Sequence, residues 1–219
     1  MTRPTLSPTR RSTPRRHAER ARTDRSELDA VLDAALICHL GLVLDGAPVV
    51  LPTGYGRDGD TLYVHGSSGA SSLLAARPEA DACVTISLLD GIVYARSSFS
   101  HSMNYRSAVI HGKARIVTDP EQKVHGLAVI TEHLAPGSWD YTRQPNKREL
   151  AATNVITMDL AEAAVKVRDE GPGCDELDEP AEQIWAGVLP VRSGWGEPIT
   201  ADFVGPGVPV PAHVTGRKW

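Results

Sequence analysis

Apolar side chains recur at helical spacing in two parts of the chain, and these parts predict its main helices. The first helix is expected over Ser26–Ala35, where apolar residues return every three or four positions. A second begins after Asp119, a capping residue that is followed by Pro120 at the first helical position. A short third helix is predicted over Asn146–Ala152. Helices therefore occupy only a small part of the chain.

Between these helices the chain consists mainly of short β-prone segments, several of them separated by turn-forming dipeptides. The predicted strands are Ile37–Leu44, Ala47–Thr53, Thr61–His65, Ala82–Leu89, Ile92–Ser97, Ser107–Val117, Thr153–Leu160 and Ala163–Arg168. Asp90-Gly91 reads as the turn of a hairpin, Gly112 as a bulge or bend, and Ser67–Ala76 is compatible with a helix. The pattern predicts a mainly β protein, a split antiparallel β-barrel with peripheral helices.

Composition and charge divide the 219 residues into a body and two unusual ends. The first 25 residues carry a net charge of +6, whereas the whole chain carries −4. Because residues 1–23 are also poor in apolar side chains, we expect a flexible basic arm there, and a solvated arm is favoured over one that binds nucleic acid. The body is predicted over 24–192 and a tail rich in Pro and Gly over 193–219.

The same composition excludes several protein classes. No apolar run reaches the roughly 18 residues that a membrane-spanning helix needs. The arginine pairs near the start are not followed by an apolar stretch, so we predict no signal peptide and a cytoplasmic protein. Three cysteines without C-x-x-C spacing argue against a disulfide scaffold, and the eight histidines show no metal-binding spacing. A heme ligand stays open, because one histidine suffices.

The segment from His65 to Ser72 is the first candidate site. It passes from a strand through small and hydroxyl-bearing residues into the predicted helix, a geometry in which backbone N–H groups can bind a phosphate. The serines could equally cap the helix and fill a tight turn, and the segment alone leaves both interpretations open.

A second candidate lies in the polar cluster from Arg96 to Ser107. Arg106 and Ser107 stand at the start of a core strand and could hydrogen-bond a planar ligand that lies across the barrel. A loop that satisfies its own backbone explains the cluster as well, and the residues alone favour that simpler interpretation.

Several segments, and their order along the chain, resemble those of the FMN-binding split-barrel flavoproteins of the pyridoxamine 5′-phosphate oxidase superfamily. The resemblance is closer to the nitroimidazole-reductase-like, flavin-nucleotide-binding branch of that superfamily. The matching stretches are Val50–Thr53, Leu62–Ser67, Leu89–Gly91, His101–Ser107 and Trp185–Pro190. The His-Ser-x-Asn-Tyr-Arg-Ser and Trp-Ala-Gly-Val-x-Pro stretches are the most specific of them.

The resemblance implies a homodimer with FMN at the interface, and it assigns roles to particular residues. His65, Gly66, Ser67, Ser71 and Ser72 would surround the phosphate, Pro52, Thr53 and Gly54 would line the isoalloxazine, Arg106 and Ser107 would contact the flavin, and Trp185 would cover it. His65 and Tyr105 are the candidate proton donors.

The implied activity is an FMN-dependent oxidoreduction of a small molecule, such as a nitroaromatic, with reduced nicotinamide as the electron donor. The alternative is a carrier or sensor that binds flavin or heme without turnover. One departure from the superfamily is that Ser67–Ala76 contains no cation for the phosphate. Arg57, Arg77, Arg96 and Lys166 are then the candidate cations, and deazaflavin and heme are alternative cofactors.

Overall fold

The computed structural model describes residues 5–6, 9–70, 79–174 and 183–218, and this part of the chain forms one antiparallel sheet that closes into a barrel. Its strands are β1 Ala21–Arg22, β2 Ile37–Leu44, β3 Ala47–Asp58, β4 Thr61–Ser67, β5 Glu79–Tyr94, β6 Ser102–Ile116, β7 Thr153–Asp159, β8 Ala163–Arg168 and β9 Gly187–Pro190. The closed ring runs β6-β7-β4-β3-β2-β5 and back to β6, while β8 and β1 extend from β6 and β9 extends from β5. The predicted fold class is confirmed.

Helices pack around this barrel, and three of the five below lie close to the predicted positions, whereas the short helices at Ser138–Tyr141 and Ala212–Thr215 were not predicted. The five are α1 Arg25–Ala34, α2 Pro120–Leu134, α3 Ser138–Tyr141, α4 Lys147–Ala152 and α5 Ala212–Thr215. Asp119 accepts a hydrogen bond from the Gln122 amide at 2.8 Å, and Asn146 forms a reciprocal capping box with Glu149. These caps explain why α2 and α4 begin where they do.

Three strands are long enough to pair with different neighbouring strands in different parts of their length, and this splits the barrel. β3 pairs with β2 as far as Gly54 and with β4 from Tyr55 onward. β5 pairs with β2 around Val84 and with β9 from Gly91. β6 likewise pairs with β8 in its first half and with β7 at its end.

The predicted hairpin at Asp90-Gly91 is wrong, because β5 continues through both residues as one strand. The pairing with β6 shifts register between Leu89 and Gly91, so the dipeptide forms a bulge and not a turn. A Cβ atom on Gly91 would lie 3.0 Å from Val188 and 3.2 Å from the Leu189 carbonyl oxygen. The glycine therefore permits the close approach of β9. No such register shift occurs at Gly112, where the pairing stays regular.

The core lies between the barrel and α1, and Tyr55 joins the two. Its ring is fully buried, and its hydroxyl faces the carbonyl oxygens of Leu32 (2.5 Å) and Ala35 (3.1 Å) and donates to the nearer one. These carbonyls belong to the last turn of α1 and the residue after it, where helices leave acceptors unpaired. The tyrosine thus fixes the end of α1 against the strand that carries Pro52.

Described residues of the expected basic arm contact the barrel. Arg11 forms an ion pair of 2.6 Å with Glu162, and Lys166 donates to the carbonyl oxygen of Arg16 at 2.9 Å. β1 pairs with β8 through two residues. The domain boundaries at 23/24 and 192/193 stay predictions. None of the helices in the described ranges is long and apolar enough to cross a membrane.

We predict that Gly56→Ala destabilises the protein, because its Cβ would lie 2.6 Å from the backbone oxygen of Val129 in α2. The free energy of unfolding should fall by about 1–3 kcal/mol, as is usual for overpacking of a tight contact. Urea denaturation measures the change. Gly171→Ala is the matched control, since nothing lies within 4 Å of the added atom. An unchanged Gly56→Ala midpoint would contradict the close packing of α2 on β3.

Candidate functional site

Four of the predicted site residues line one small cavity on β3 and β4. Pro52, Thr53, His65 and Gly66 border a space of about 190 Å³, which we call the strand cavity. Its position follows from the topology, because β3 leaves β2 for β4 just after Gly54. Apolar side chains complete its wall, among them Leu40, Leu51 and Val64. The structure therefore brings together Pro52 and Thr53, expected at the isoalloxazine, with two of the residues expected at the phosphate. Gly54 is not part of this lining, and a Cβ atom on it would lie 3.0 Å from Leu134 of α2.

The serine-rich segment after the strand cavity starts as a turn. Ser67 is the last residue of β4, and its hydroxyl accepts from the Gly69 amide at 3.3 Å. The Ser68 amide donates to the carbonyl oxygen of Ala152 at 2.8 Å, which ties the turn to the end of α4. Ser71 and Ser72 lie outside the described residues, as does most of the predicted helix.

His65 is an exposed side chain of β4 beside this turn. Partial desolvation lowers its pKa, because the charged imidazolium loses hydration. At neutral pH the ring is uncharged, so it can donate or accept a hydrogen bond but supplies no positive charge to an anion.

Tyr105, Arg106 and Ser107 follow one another on β6 and therefore point to alternating sides of the strand. Tyr105 and Ser107 line a cavity of about 320 Å³ together with Leu89 and Met103; we call this the Tyr105 cavity. Arg106 faces the other side, where its Nε and Nη2 atoms lie 3.0 and 2.7 Å from the two carboxylate oxygens of Asp90. This pairing raises the pKa of Arg106 and orients its guanidinium.

Two of the four candidate cations for a phosphate are already engaged. Arg57 lies 2.6 Å from Asp33 and 3.4 Å from Asp29, and the hydrogen bond to Asp33 raises its pKa. Lys166 bonds a backbone carbonyl. Arg77 lies outside the described residues, which leaves Arg96, a half-buried side chain, as the described candidate.

Trp185 lies away from these cavities within one chain. Its side chain is 66% exposed, and its ring contacts Tyr94 at a centroid distance of 5.8 Å. Tyr94 in turn contacts His101 at 5.8 Å. Trp185 is not in the lining of the strand cavity or of the Tyr105 cavity, and its role as a cover over the flavin stays a prediction.

Sequence reasoning missed His39, which is the cross-strand partner of Pro52. Its side chain is exposed on the outer face of β2. Two apolar side chains nearby are exposed as well, Ile37 of β2 at 57% and Val50 of β3 at 63%. The alternation along β2 contains the signal, because Cys38, Leu40 and Leu42 point inward and the residues between them must point outward.

A larger cavity was also missed, and it involves the segment 193–218, which we call the C-terminal segment. This C-terminal cavity has a volume of about 850 Å³, and its lining includes Arg106, His133, Trp195, His213 and Arg217. The composition of the segment indicated only an irregular tail. Among the described residues, no group of three or more His, Cys, Asp or Glu side chains could hold a metal ion.

His133 connects this cavity to the core. Its Nε2 atom donates to the Ala35 carbonyl oxygen at 2.7 Å, and its ring lies against Tyr55 at a centroid distance of 4.8 Å. Desolvation lowers the pKa of His133, so the folded protein holds it neutral at pH 7.

Comparison with known proteins agrees with this architecture. The profile of the family described as pyridoxamine 5′-phosphate oxidase matches residues 24–167. The chain belongs to this family. A search of curated proteins finds no match.

Two solved structures resemble this family member over nearly its whole length. The flavocytochrome Anf3 from Azotobacter vinelandii is 36% identical, with a TM-score of 0.89 over 96% of this chain and 98% of that one. An FAD- and heme-binding protein from Mycobacterium smegmatis is also 36% identical, with a TM-score of 0.86 over 91% and 97%. A candidate 5-nitroimidazole antibiotic resistance protein from Bacteroides thetaiotaomicron is 26% identical, with a TM-score of 0.54 over 67% and 86%.

We predict that His133 makes the stability of the protein depend on pH. Its folded-state pKa lies below the unfolded value of about 6.5, so the unfolded state binds more protons as the pH falls through that value. The free energy of unfolding should therefore decrease from pH 7 to pH 5. His133→Gln should reduce this decrease, whereas His125→Gln, on an exposed ring of the same helix, should retain it. Urea midpoints at both pH values test this, and equal slopes for all three proteins would contradict it.

Proposed function

We propose that this family member is a flavin-dependent oxidoreductase that binds FMN on the surface of β3 in a homodimer. The proposed electron donor is a reduced nicotinamide, and the proposed acceptor is a small molecule, with nitroaromatics first among those to be tested. The observation that carries the proposal is the strand cavity, where Pro52 and Thr53 meet His65 and Gly66 at the partner exchange of β3.

The similar structures support a redox cofactor. Two relatives of 36% identity are named for a flavocytochrome and for FAD and heme binding, and a third of 26% identity is named for nitroimidazole resistance. We take a flavin nucleotide as the cofactor of the strand cavity and heme as a second cofactor of this chain.

The chain's own residues fit a flavin in shape and in hydrogen bonding. A bound flavin accepts hydride and passes electrons onward, so the protein supplies position, hydrogen bonds and exclusion of water. The backbone of Pro52–Gly54 offers a flat edge for a ring system, and Gly66 leaves room for a phosphate near the Ser67 turn. Neutral His65 can donate a hydrogen bond there, and the Tyr105 hydroxyl is the candidate proton donor in the Tyr105 cavity.

A second copy of the chain completes this site in our proposal. The strand cavity of about 190 Å³ is smaller than the roughly 300–1,000 Å³ typical of ligand sites. Large apolar side chains next to it and next to the Tyr105 cavity are exposed, with Ile37 at 57%, Val50 at 63%, Leu89 at 45% and Met103 at 51%. Single apolar residues are common on surfaces, but such a group bordering two cavities is typical of an interface.

We predict that His65→Ala weakens FMN binding, because it removes a hydrogen-bonding ring from the wall of the strand cavity. The Kd should rise about tenfold, which corresponds to about 1.4 kcal/mol. Quenching of flavin fluorescence during titration of the cofactor-free protein measures it. His125→Ala is the matched control, since His125 lies on the exposed face of α2 and bonds Asp58.

Turnover distinguishes an oxidoreductase from a carrier. Reduced nicotinamide should bleach the flavin absorption of the FMN-loaded protein, and this absorption should recover when a nitroaromatic is added. Flavin binding without either change would support the carrier, and equal FMN affinity of His65→Ala and wild type would contradict the placement of the cofactor.

A further inference from the structure

The C-terminal cavity is separate from the strand cavity, although Arg106, which the resemblance assigns to the flavin, is part of its lining. At about 850 Å³ it is more than four times as large as the strand cavity and falls in the range of cofactor sites. It is bordered by the end of α1, the end of α2 and the C-terminal segment. No residue of the strand cavity takes part in the lining.

Apolar groups form much of the wall. Ala34 and Leu36 come from the end of α1, Leu88 from β5 and Pro136 from the loop after α2, while Trp195 supplies an aromatic ring from the C-terminal segment. Apolar surfaces of this kind bind a large planar ligand through its faces, where burial of apolar area drives association.

Positive charge is concentrated on one part of the lining. Arg217 and Lys218 come from the C-terminal segment, and the Arg217 guanidinium lies 4.2 Å from the centroid of the Trp195 ring. The carboxylate in the lining, Asp33, is already bound by Arg57 at 2.6 Å. A third cation in the lining, Arg106, is already paired with Asp90 at 2.7 Å. Arg217 and Lys218 beside an apolar cavity favour a ligand that carries carboxylates.

Two histidines reach the cavity from different elements, and their surroundings differ. His133 already donates Nε2–H to Ala35 and is packed on Tyr55, which gives it a structural role. The ring of His213 contacts Tyr141 edge-on at 4.9 Å, and no hydrogen bond between described residues engages its nitrogens. Gly137 makes this placement possible, because a Cβ atom there would lie 2.9 Å from that of His213. His213 therefore presents an available imidazole at the cavity wall.

We propose that the C-terminal cavity binds heme, with His213 as an axial ligand and with Arg217 and Lys218 near the heme carboxylates. The assignment rests on the proposed function only in taking heme as the ligand. Three features of the lining match heme. The available imidazole of His213 can bind the iron, the apolar walls can contact the faces of the macrocycle, and Arg217 and Lys218 can pair with its carboxylates.

The cavity also adjoins the proposed flavin interface. Leu88 lines both the C-terminal cavity and the Tyr105 cavity. Leu36 lies next to Ile37, whose cross-strand partner is Gly54 at the end of the predicted isoalloxazine surface. The two cavities therefore share or adjoin lining residues on β2 and β5.

Titration of the full-length protein with hemin tests the assignment by absorption spectroscopy. Wild type should bind about one hemin per chain with a sharpened, shifted Soret band. His213→Ala should lose this spectrum and weaken hemin binding at least about tenfold, and added imidazole should restore the spectrum by supplying the missing ligand. His213→Met should still bind hemin but with altered bands, because the axial ligand changes.

Control variants separate a ligand from a structural role. His125→Ala should leave the hemin spectrum unchanged, and Arg217→Ala should weaken binding without altering the Soret position. His133→Gln should also leave the bands in place if the protein stays folded, which its circular dichroism reports. FMN affinity should be the same in wild type and His213→Ala, so failure of the flavin proposal would be seen separately.

Three results would overturn the assignment. Wild type could fail to bind hemin saturably, or the spectrum could be the same in His213→Ala. Alternatively, adenosine monophosphate or FAD could compete with hemin for the cavity, which would make it a nucleotide site.

Discussion

The barrel depends on long strands that pair with different neighbours along their length. β5 pairs with β6 along most of its length and, on its other edge, with β2 and then β9, while β6 pairs opposite β5 with β8 and then β7. Backbone N–H and C=O groups must find partners on both sides of such an exchange. β9 supplies these partners to β5, and β8 and β7 supply them to β6. On β3 the pairing changes from β2 to β4 between Gly54 and Tyr55. The strand cavity lies at that switch, so the candidate site is a consequence of how the barrel closes.

The same constraint explains why the helices lie where they do. Tyr55 is the first residue of β3 after the switch, and it fixes the end of α1 through Leu32 and Ala35. His133 of α2 bonds the same Ala35 carbonyl and lies on the tyrosine ring. Tyr55 thus joins β3, the strand that borders the strand cavity, to the ends of the two helices that border the C-terminal cavity, α1 and α2.

Much of the barrel could be predicted from local patterns, because each strand and cap depends on neighbouring residues. The caps at Asp119 and Asn146 and the alternation around Ile110 are of this kind. The Asp90-Gly91 dipeptide suits a turn and a bulge equally, and the choice between them depends on the distant strand β9.

The sequence predicted the site residues that lie near one another on β3 and β4. It did not predict the cavity whose residues are brought together only by tertiary packing. Pro52 and His65 were found because motifs on β3 and β4 carry them, and they do share a cavity. The alternation of Arg106 and Ser107 to opposite sides of β6 follows from strand geometry and could have been foreseen. The C-terminal cavity could not, because its wall combines helix ends with a segment whose composition indicates no regular structure.

The central claim is that this member of the pyridoxamine 5′-phosphate oxidase family holds a flavin. The most direct measurement is an absorption spectrum of the purified protein, followed by mass spectrometry of the small molecules that denaturation releases. We expect flavin absorption and a released mass equal to FMN. A colourless protein that also fails to take up added FMN, deazaflavin or heme would contradict the account and leave only the fold.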